Sequence, residues 1–243
     1  MATPDGKPRS WREFWNADTP IYANRRHLEC HYRHIAEDIV GLIDEFHAGG
    51  QPQVLDYGCG EALSAAHVAQ RCGRLTLLES ADTVAAALRA RHARDANVRV
   101  VLEREMDTIT PRSLDLIVAN SVVQYLTADE LRALLRRWRD LLKPGGRLVL
   151  ADIIPHTTGA LTDAWALLRF AARDGFLVAA VLGLVRTTFS DYRSLRGRFG
   201  LAHYDAAELD ALLMEAGFAG IASHANLGHN PARLCRVART AAS

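Results

Sequence analysis

The chain of 243 residues is short of lysine, cysteine, aromatic side chains and long apolar runs, and each shortage excludes something. Only Lys7 and Lys143 are lysines. The other members of the basic set of 29 are arginine, and 28 acidic residues bring the formal net charge to +1. A protein that grips nucleic acid by bulk electrostatics is more basic than this, so nucleic acid is not an expected partner. Four cysteines (Cys30, Cys59, Cys72, Cys235) stand without pairing spacing. That fits reduced thiols better than a disulfide framework. The longest apolar run, residues 176–185, is ten residues long, half of the roughly 20 that a membrane span takes. The opening MATPDGKPRSWREFW has no apolar signal core, and with the free thiols it predicts a cytoplasmic protein. Hydrophobic residues at 49% and charged residues at 23% are ordinary globular usage, which excludes a disordered or fibrous chain.

What is present is an alternation. Trp11, Phe14 and Trp15 sit at helical spacing, and Ile35, Ile39, Leu42, Ile43 and Phe46 form a helical stripe over 31–47. Gly49-Gly50 breaks the chain. Short apolar runs at 54–55, 75–78, 98–102, 114–119 and 147–154 predict five strands. Helix-forming stretches at 61–71, 81–94 and from Thr127 separate them. Thr127-Ala-Asp-Glu130 is a capping box, and Lys143-Pro-Gly-Gly stops the helix it opens. A second box, Asp205-Ala-Ala-Glu208, starts a last helix that ends at Gly217. Residues 221–225 and 234–238 read as closing strands joined around 226–233. The pattern predicts an α/β protein with a doubly wound, mostly parallel sheet of seven strands and a C-terminal antiparallel hairpin. The organisation expected is a single domain over 1–243. It comprises an N-terminal helical cap (1–50), a ligand-binding core (51–154), a helical lid insertion (155–204) and a closing helix with strands (205–243).

The chemistry concentrates in Val54-Leu-Asp56-Tyr-Gly58-Cys-Gly60-Glu-Ala62. Glycines between a strand and a helix let backbone approach a ligand and take positive φ. In a doubly wound sheet that turn lies where ligands bind. Glu79 ends the second strand, 23 positions after Asp56, where a carboxylate can accept both hydroxyls of a ribose. A dinucleotide is disfavoured. Its fingerprint wants glycine or alanine where Leu63 stands, and Asp56 would repel a diphosphate. Asp56 suits an ammonium group, so the expected ligand is a nucleoside carrying positive charge. A nicotinamide oxidoreductase is the weaker alternative.

The stretches VLDYGCG, LLES, LEREMDTITPRSLDLIVANSVVQYL and LLKPGGRLVLADII, over residues 53–154, resemble the class I S-adenosylmethionine-dependent methyltransferases in order and spacing. The LMEAGF segment and the closing strands are similar to that family's C-terminal end. The resemblance implies a Rossmann-like methyltransferase fold, S-adenosylmethionine as cofactor and S-adenosylhomocysteine as product. It implies that Asp56, Gly58, Cys59 and Gly60 line the methionine part and that Glu79, with Ser80, holds the ribose. By the same resemblance Glu105, with Asp107 as the competing carboxylate, accepts the adenine amino group, Met106 is its apolar face, and Asn120, with Ser121 and Gln124, borders the sulfonium. Gln124 stands near where the family often has histidine. The reaction implied is direct displacement at the methyl carbon, which needs alignment and, for a protonated nucleophile, a base, but no metal.

The acceptor is less legible. A small-molecule or lipophilic acceptor is expected, methylated on oxygen or alternatively on nitrogen or carbon, with no segment resembling Asn-Pro-Pro-Tyr to suggest nucleic acid. His31 and His156 are candidate bases, since a histidine near its ordinary pKa can take a proton. His27, His31 and His34 also fall near one helical stripe, which a solvated or hydrogen-bonded face explains more simply than a metal. Tyr22, Gln124, Tyr192 and His203 are candidate acceptor contacts. Residues 157–198 would form the acceptor-side insertion. Its apolar run 176–185, with Arg186, Arg193, Arg196 and Arg198 after it, reads as a buried cap helix, as a lid, or as a surface contact with a membrane through 176–198. A scaffold that binds the cofactor without turnover is the alternative function.

Overall fold

The computed structural model describes residues 22–187 and 200–242. Tyr192, the aromatic group Trp11, Phe14 and Trp15, and Arg193, Arg196 and Arg198 lie outside the described residues.

The five apolar runs form β1 (Gln53–Tyr57), β2 (Arg74–Glu79), β3 (Val98–Leu102), β4 (Leu114–Asn120) and β5 (Leu142–Ile153), paired in parallel. β6 (Ala219–Ser223) and β7 (Leu234–Arg239) close the sheet, and β7 runs antiparallel to both β5 and β6. The strand order is β3-β2-β1-β4-β5-β7-β6. The order reverses between β1 and β4, which opens a crevice at their carboxyl ends.

The helices are α1 (Arg25–Phe46), α2 (Ala65–Ala69), α3 (Asp82–Arg91), α4 (Ala128–Leu141), α5 (Ala160–Asp174), α6 (Leu177–Thr187) and α7 (Ala206–Glu215). Both capping boxes form: Thr127 and Asp205 each accept an amide three residues on, and Glu130 and Glu208 reach back. The buried apolar residues divide between the two faces of the sheet. One cluster gathers Trp138, Leu131, Leu135, Leu209 and Leu213 from α4 and α7; the other gathers Ile39, Ile43, Val68 and Leu88 from α1, α2 and α3. Trp138 is fully buried and meets Tyr57 edge to face at 4.9 Å.

Several boundaries differ from the sequence reading, each for a physical reason. α1 begins at Arg25 because the Asn24 side chain caps it, accepting the His27 amide at 2.8 Å. α2 is five residues rather than eleven, because Gly58, Gly60 and Ala62 all take positive φ (+70°, +57°, +39°) and the chain loops until Ser64. β5 begins at Leu142, with a register shift between its pairing to Leu114 and to Leu116. β6 lies two residues earlier than read. The apolar run over 176–185 is buried on one side only. Phe176 and Ala180 pack on Cys30, Phe170 and Ala171, while Val178 and Leu182 are exposed.

Candidate active site

Each strand end of the crevice contributes to one cleft of about 900 Å³. The glycine turn after β1 hangs from β2: the Gly58 and Cys59 amides donate to the Leu78 carbonyl at 2.8 and 3.2 Å. Glycine is required twice there. A Cβ at Gly58 would stand 2.6 Å from Val122 Cγ2, and one at Gly60 would run into the Tyr32 hydroxyl. The positive φ at both positions adds strain to any replacement.

Glu79, almost fully buried, is the hub of this turn. Its Oε2 accepts the Gly60 amide at 2.9 Å, and its Oε1 accepts the amides of Ser80 and Ala81 at 2.7 and 2.9 Å. Asp56 faces the same space. Burial first, then the Glu79 carboxylate, pushes its carboxyl up to about 7. A cation placed there would relieve both penalties. The Cys59 thiol is pushed well up by burial, which makes it an unreactive filler of the turn rather than a nucleophile.

The same cleft is also lined from α1, from the ends of β4 and β5, and from the loop before β7, through Tyr22, His27, His31, Tyr125, Ile154, Leu201, Ala202 and His229. Tyr22 and His31 lie beside Tyr32, whose hydroxyl accepts the Glu61 amide at the glycine turn. Burial lowers the His31 imidazole to about 3 and those of His27 and His229 to about 4, so all three are neutral near pH 7. His27 stacks on Phe176 at 4.8 Å and His229 on Phe170 at 4.7 Å. His34 turns away to Asp174 at 3.2 Å. The histidine stripe is therefore an aromatic wall with one outward member, and no group of metal-ligating residues forms among the described residues. Asn120, Ser121 and Gln124 line the cleft as well. The buried side-chain oxygens of Asn120 and Gln124 have no partner among the described residues and call for a donor from a ligand.

Of the residues singled out from sequence, Asp56, Gly58, Cys59, Gly60, Glu79, Ser80, Asn120, Ser121, Gln124, Tyr22 and His31 line this cleft. Four others do not. Glu105 turns outward, capping the Leu102 amide at 3.0 Å and pairing with Arg89 at 2.8 Å. Met106 is fully buried in the core beneath. The carboxylate that does reach the cleft is Glu103, which accepts the Tyr57 hydroxyl at 3.1 Å. The segment 103–108 is a 3₁₀ turn, and its first residue, not its third, points inward. His156 is half exposed and paired with Glu208 at 3.0 Å; His203 stacks beside it. Both stand outside the cleft. Among the described residues from 157 to 187 none lines the cleft, because α6 packs behind α1, with Gly183 against Ala23, so the apolar run is not a lid there; of the expected 155–204 insertion, Gly200, Leu201 and Ala202 do line it. Sequence reading missed Tyr32, Glu103, Asp152 and Arg233 as site residues. Glu103 and Asp152 lie within the stretches that carry the family resemblance; Tyr32 and Arg233 have no local signature, since only the fold brings them to the crevice.

A seven-stranded sheet in this order, with a glycine turn and a carboxylate at the ends of β1 and β2, defines a Rossmann-like methyltransferase fold. Residues 54–146 match a family model described as a methyltransferase domain. Over this stretch the chain is similar to the cofactor-binding part of the S-adenosylmethionine-dependent methyltransferases. A curated relative, the malonyl-[acyl-carrier protein] O-methyltransferase of Hahella chejuensis, is 27% identical over 136 residues, covering 55% of this chain and 47% of the relative. Among solved structures, the phosphoethanolamine N-methyltransferase 2 of Haemonchus contortus, bound to phosphomonomethylethanolamine and S-adenosylhomocysteine, superposes with a TM-score of 0.54 at 16% identity. That match covers 77% of this chain and 38% of that one. A methyltransferase from Mesorhizobium loti superposes with a TM-score of 0.55 at 14% identity, covering 86% and 99%. The chain thus spans about half the length of the curated relative. No described helix is long and apolar enough to cross a membrane.

Proposed function

We propose that the chain transfers a methyl group from S-adenosylmethionine to a small, hydrophobic or lipid-like acceptor, with oxygen the favoured atom. One observation carries the reading. One cleft is lined both by a glycine turn with the carboxylates of Asp56 and Glu79 and by a wall of neutral histidines and apolar side chains. Asp56 would hold the cofactor's ammonium group, Glu79 its ribose hydroxyls and Glu103 its adenine side. Asn120, Ser121 and Gln124 stand where donor and acceptor would meet. Tyr22 and His31 would bound the acceptor. The sulfonium supplies a good leaving group, so this chain's contribution is alignment and dehydration of the approach. The O-methylating curated relative supports oxygen as the atom.

Calorimetric titration with S-adenosylhomocysteine, run beside Asp56→Asn, tests the cofactor assignment. Binding in the wild type and its loss in the variant support the assignment; equal affinity removes it. Methyl transfer to a panel of hydroxylated lipophilic acceptors tests the acceptor reading. Cofactor binding with no transfer across the panel favours a scaffold that binds without turnover.

Peripheral contact with a lipid surface belongs to the same proposal. On α5 and α6, Leu161, Trp165, Val178 and Leu182 are exposed at 88, 62, 75 and 55%. Such a face suits the interfacial region of a bilayer. Co-sedimentation with anionic phosphatidylserine vesicles, reduced by Trp165→Ser with Leu182→Ser, is the expected result.

A further inference from the structure

We propose that Asp152 is a catalytic residue of this cleft, facing the transferred methyl group and taking the proton that the acceptor loses. This deepens the methyltransferase reading and rests on it.

Asp152 lies near the carboxyl end of β5, directly beside the end of β4, where Asn120 pairs with Ala151. Both Ser121 and Asp152 hold left-handed backbone, with φ of +59° and +55°. Neither is glycine, so both hold a strained backbone conformation. Two neighbouring strands thus spend strain to turn adjacent polar side chains into one crevice. The Ser121 hydroxyl donates to Asp152 Oδ2 at 2.6 Å. The Asp152 amide donates to Asn226 Oδ1 at 2.7 Å, which fixes the backbone from the far side. Arg233 is committed to Asp163 at 2.8 Å and stands 4.0 Å from Asp152 Oδ1. The carboxylate is thus oriented from three sides, with one oxygen held by Ser121, and it remains a quarter exposed along the cleft wall. Burial raises its carboxyl above the ordinary value, which improves it as a proton acceptor.

In the step this assigns, the acceptor oxygen forms a bond to the methyl carbon and the carbon–sulfur bond breaks, its electron pair staying on sulfur. The acceptor proton passes to Asp152 and later to water. His31 and His229, lowered by burial, are weaker bases across the same space.

The test needs no known acceptor. Sinefungin carries an ammonium group where S-adenosylmethionine carries its methyl group, whereas S-adenosylhomocysteine carries nothing there. Asp152→Asn keeps the shape, keeps an oxygen for Ser121, and tolerates left-handed backbone. It is expected to weaken sinefungin about tenfold or more while changing S-adenosylhomocysteine affinity less than about twofold. Ser121→Ala, which frees the carboxylate, should move the same ratio less far and serves if Asp152→Asn does not fold. A ratio unchanged in both variants, or equal loss of both ligands, overturns the proposal. Failure of the wild type to bind either ligand overturns the cofactor reading, and this one with it.

Discussion

The Glu79 carboxylate accepts the Gly60 amide at 2.9 Å, so the end of β2 grips the glycine turn that follows β1. The residue that would hold the cofactor's ribose is also the residue that shapes the loop beneath its methionine part. Substrate contact and backbone order are therefore one property of this carboxylate. Variants at Glu79 should not separate them cleanly.

Glu79→Ala leaves the amides of Gly60, Ser80 and Ala81 without their acceptor. Charge-assisted bonds of this kind are worth about 1.5–3 kcal/mol each, and water entering the cleft recovers part. The expected loss is about 2–4 kcal/mol of stability, together with loss of S-adenosylhomocysteine binding. Urea denaturation and calorimetry read the two. Full stability with lost affinity would show that the turn holds its shape without Glu79.

Asp56 predicts a pH-dependent affinity. Its folded carboxyl titrates at about 7 because burial, then Glu79, disfavours the charge. A bound ammonium group wants the ionised form, so below pH 7 binding must expel a proton. Affinity for S-adenosylhomocysteine should rise with pH by up to about tenfold per unit and flatten above about 7. At pH 6.5, titrations in buffers of different ionisation heat should show release of most of one proton. Asp56→Asn should bind weakly and lose the slope. A pH-independent wild-type affinity would place the ammonium elsewhere.

Gly60 and Tyr32 form a steric pair. The Tyr32 hydroxyl accepts the Glu61 amide at 2.8 Å and occupies the space a Gly60 side chain would need. Gly60→Ala should therefore weaken S-adenosylhomocysteine binding and cost about 1–3 kcal/mol of stability, from crowding and from positive φ together. Tyr32→Phe removes the crowding oxygen and not the φ penalty. In a double-mutant cycle the second change should recover only part of the loss. Strict additivity would mean that the two sites do not touch.

Much of this was legible because the relevant signals are local. Strands β1 to β5, both capping boxes and the carboxylates at Asp56 and Glu79 sit in short windows with a fixed period or spacing. What was illegible depended on side-chain aim or on distant chain meeting. Glu103 and Glu105 are two residues apart, and only the 3₁₀ geometry of the turn decides which points inward. Composition gave the apolar character of α6 but not its position, which is set by Gly183 packing on Ala23 and Phe176 stacking on His27. His229 meets His31 across nearly two hundred residues of chain, with ring centres 6.5 Å apart.

Those histidines lead to a last prediction, on acid stability. The ordinary value is 6.5, and in the folded chain burial holds His27 and His229 near 4 and His31 near 3. A folded pKa below the unfolded one means that the unfolded chain binds protons first. Stability is then complete above pH 6.5, falls as pH drops below it, and stops falling from this source near pH 3 to 4. Each neutral buried histidine contributes on the order of 1 kcal/mol per pH unit inside that window. Replacing one of them by asparagine should flatten the slope by one proton's worth. The neighbouring wall predicts which replacement is tolerated. His27 and His229 lie flat on Phe176 and Phe170, so losing either ring loosens α5 and α6 from α1 as well. His31 contacts Tyr22 and Tyr32 at ring distances of 5.4 and 5.3 Å and faces the cleft, so His31→Asn is the cleaner probe. Urea unfolding of wild type and His31→Asn at pH 7.5 and 5 reads the difference. A slope unchanged by the substitution would mean that His31 is charged or solvated in the folded protein, and the neutral wall of the cleft would then need a different occupant.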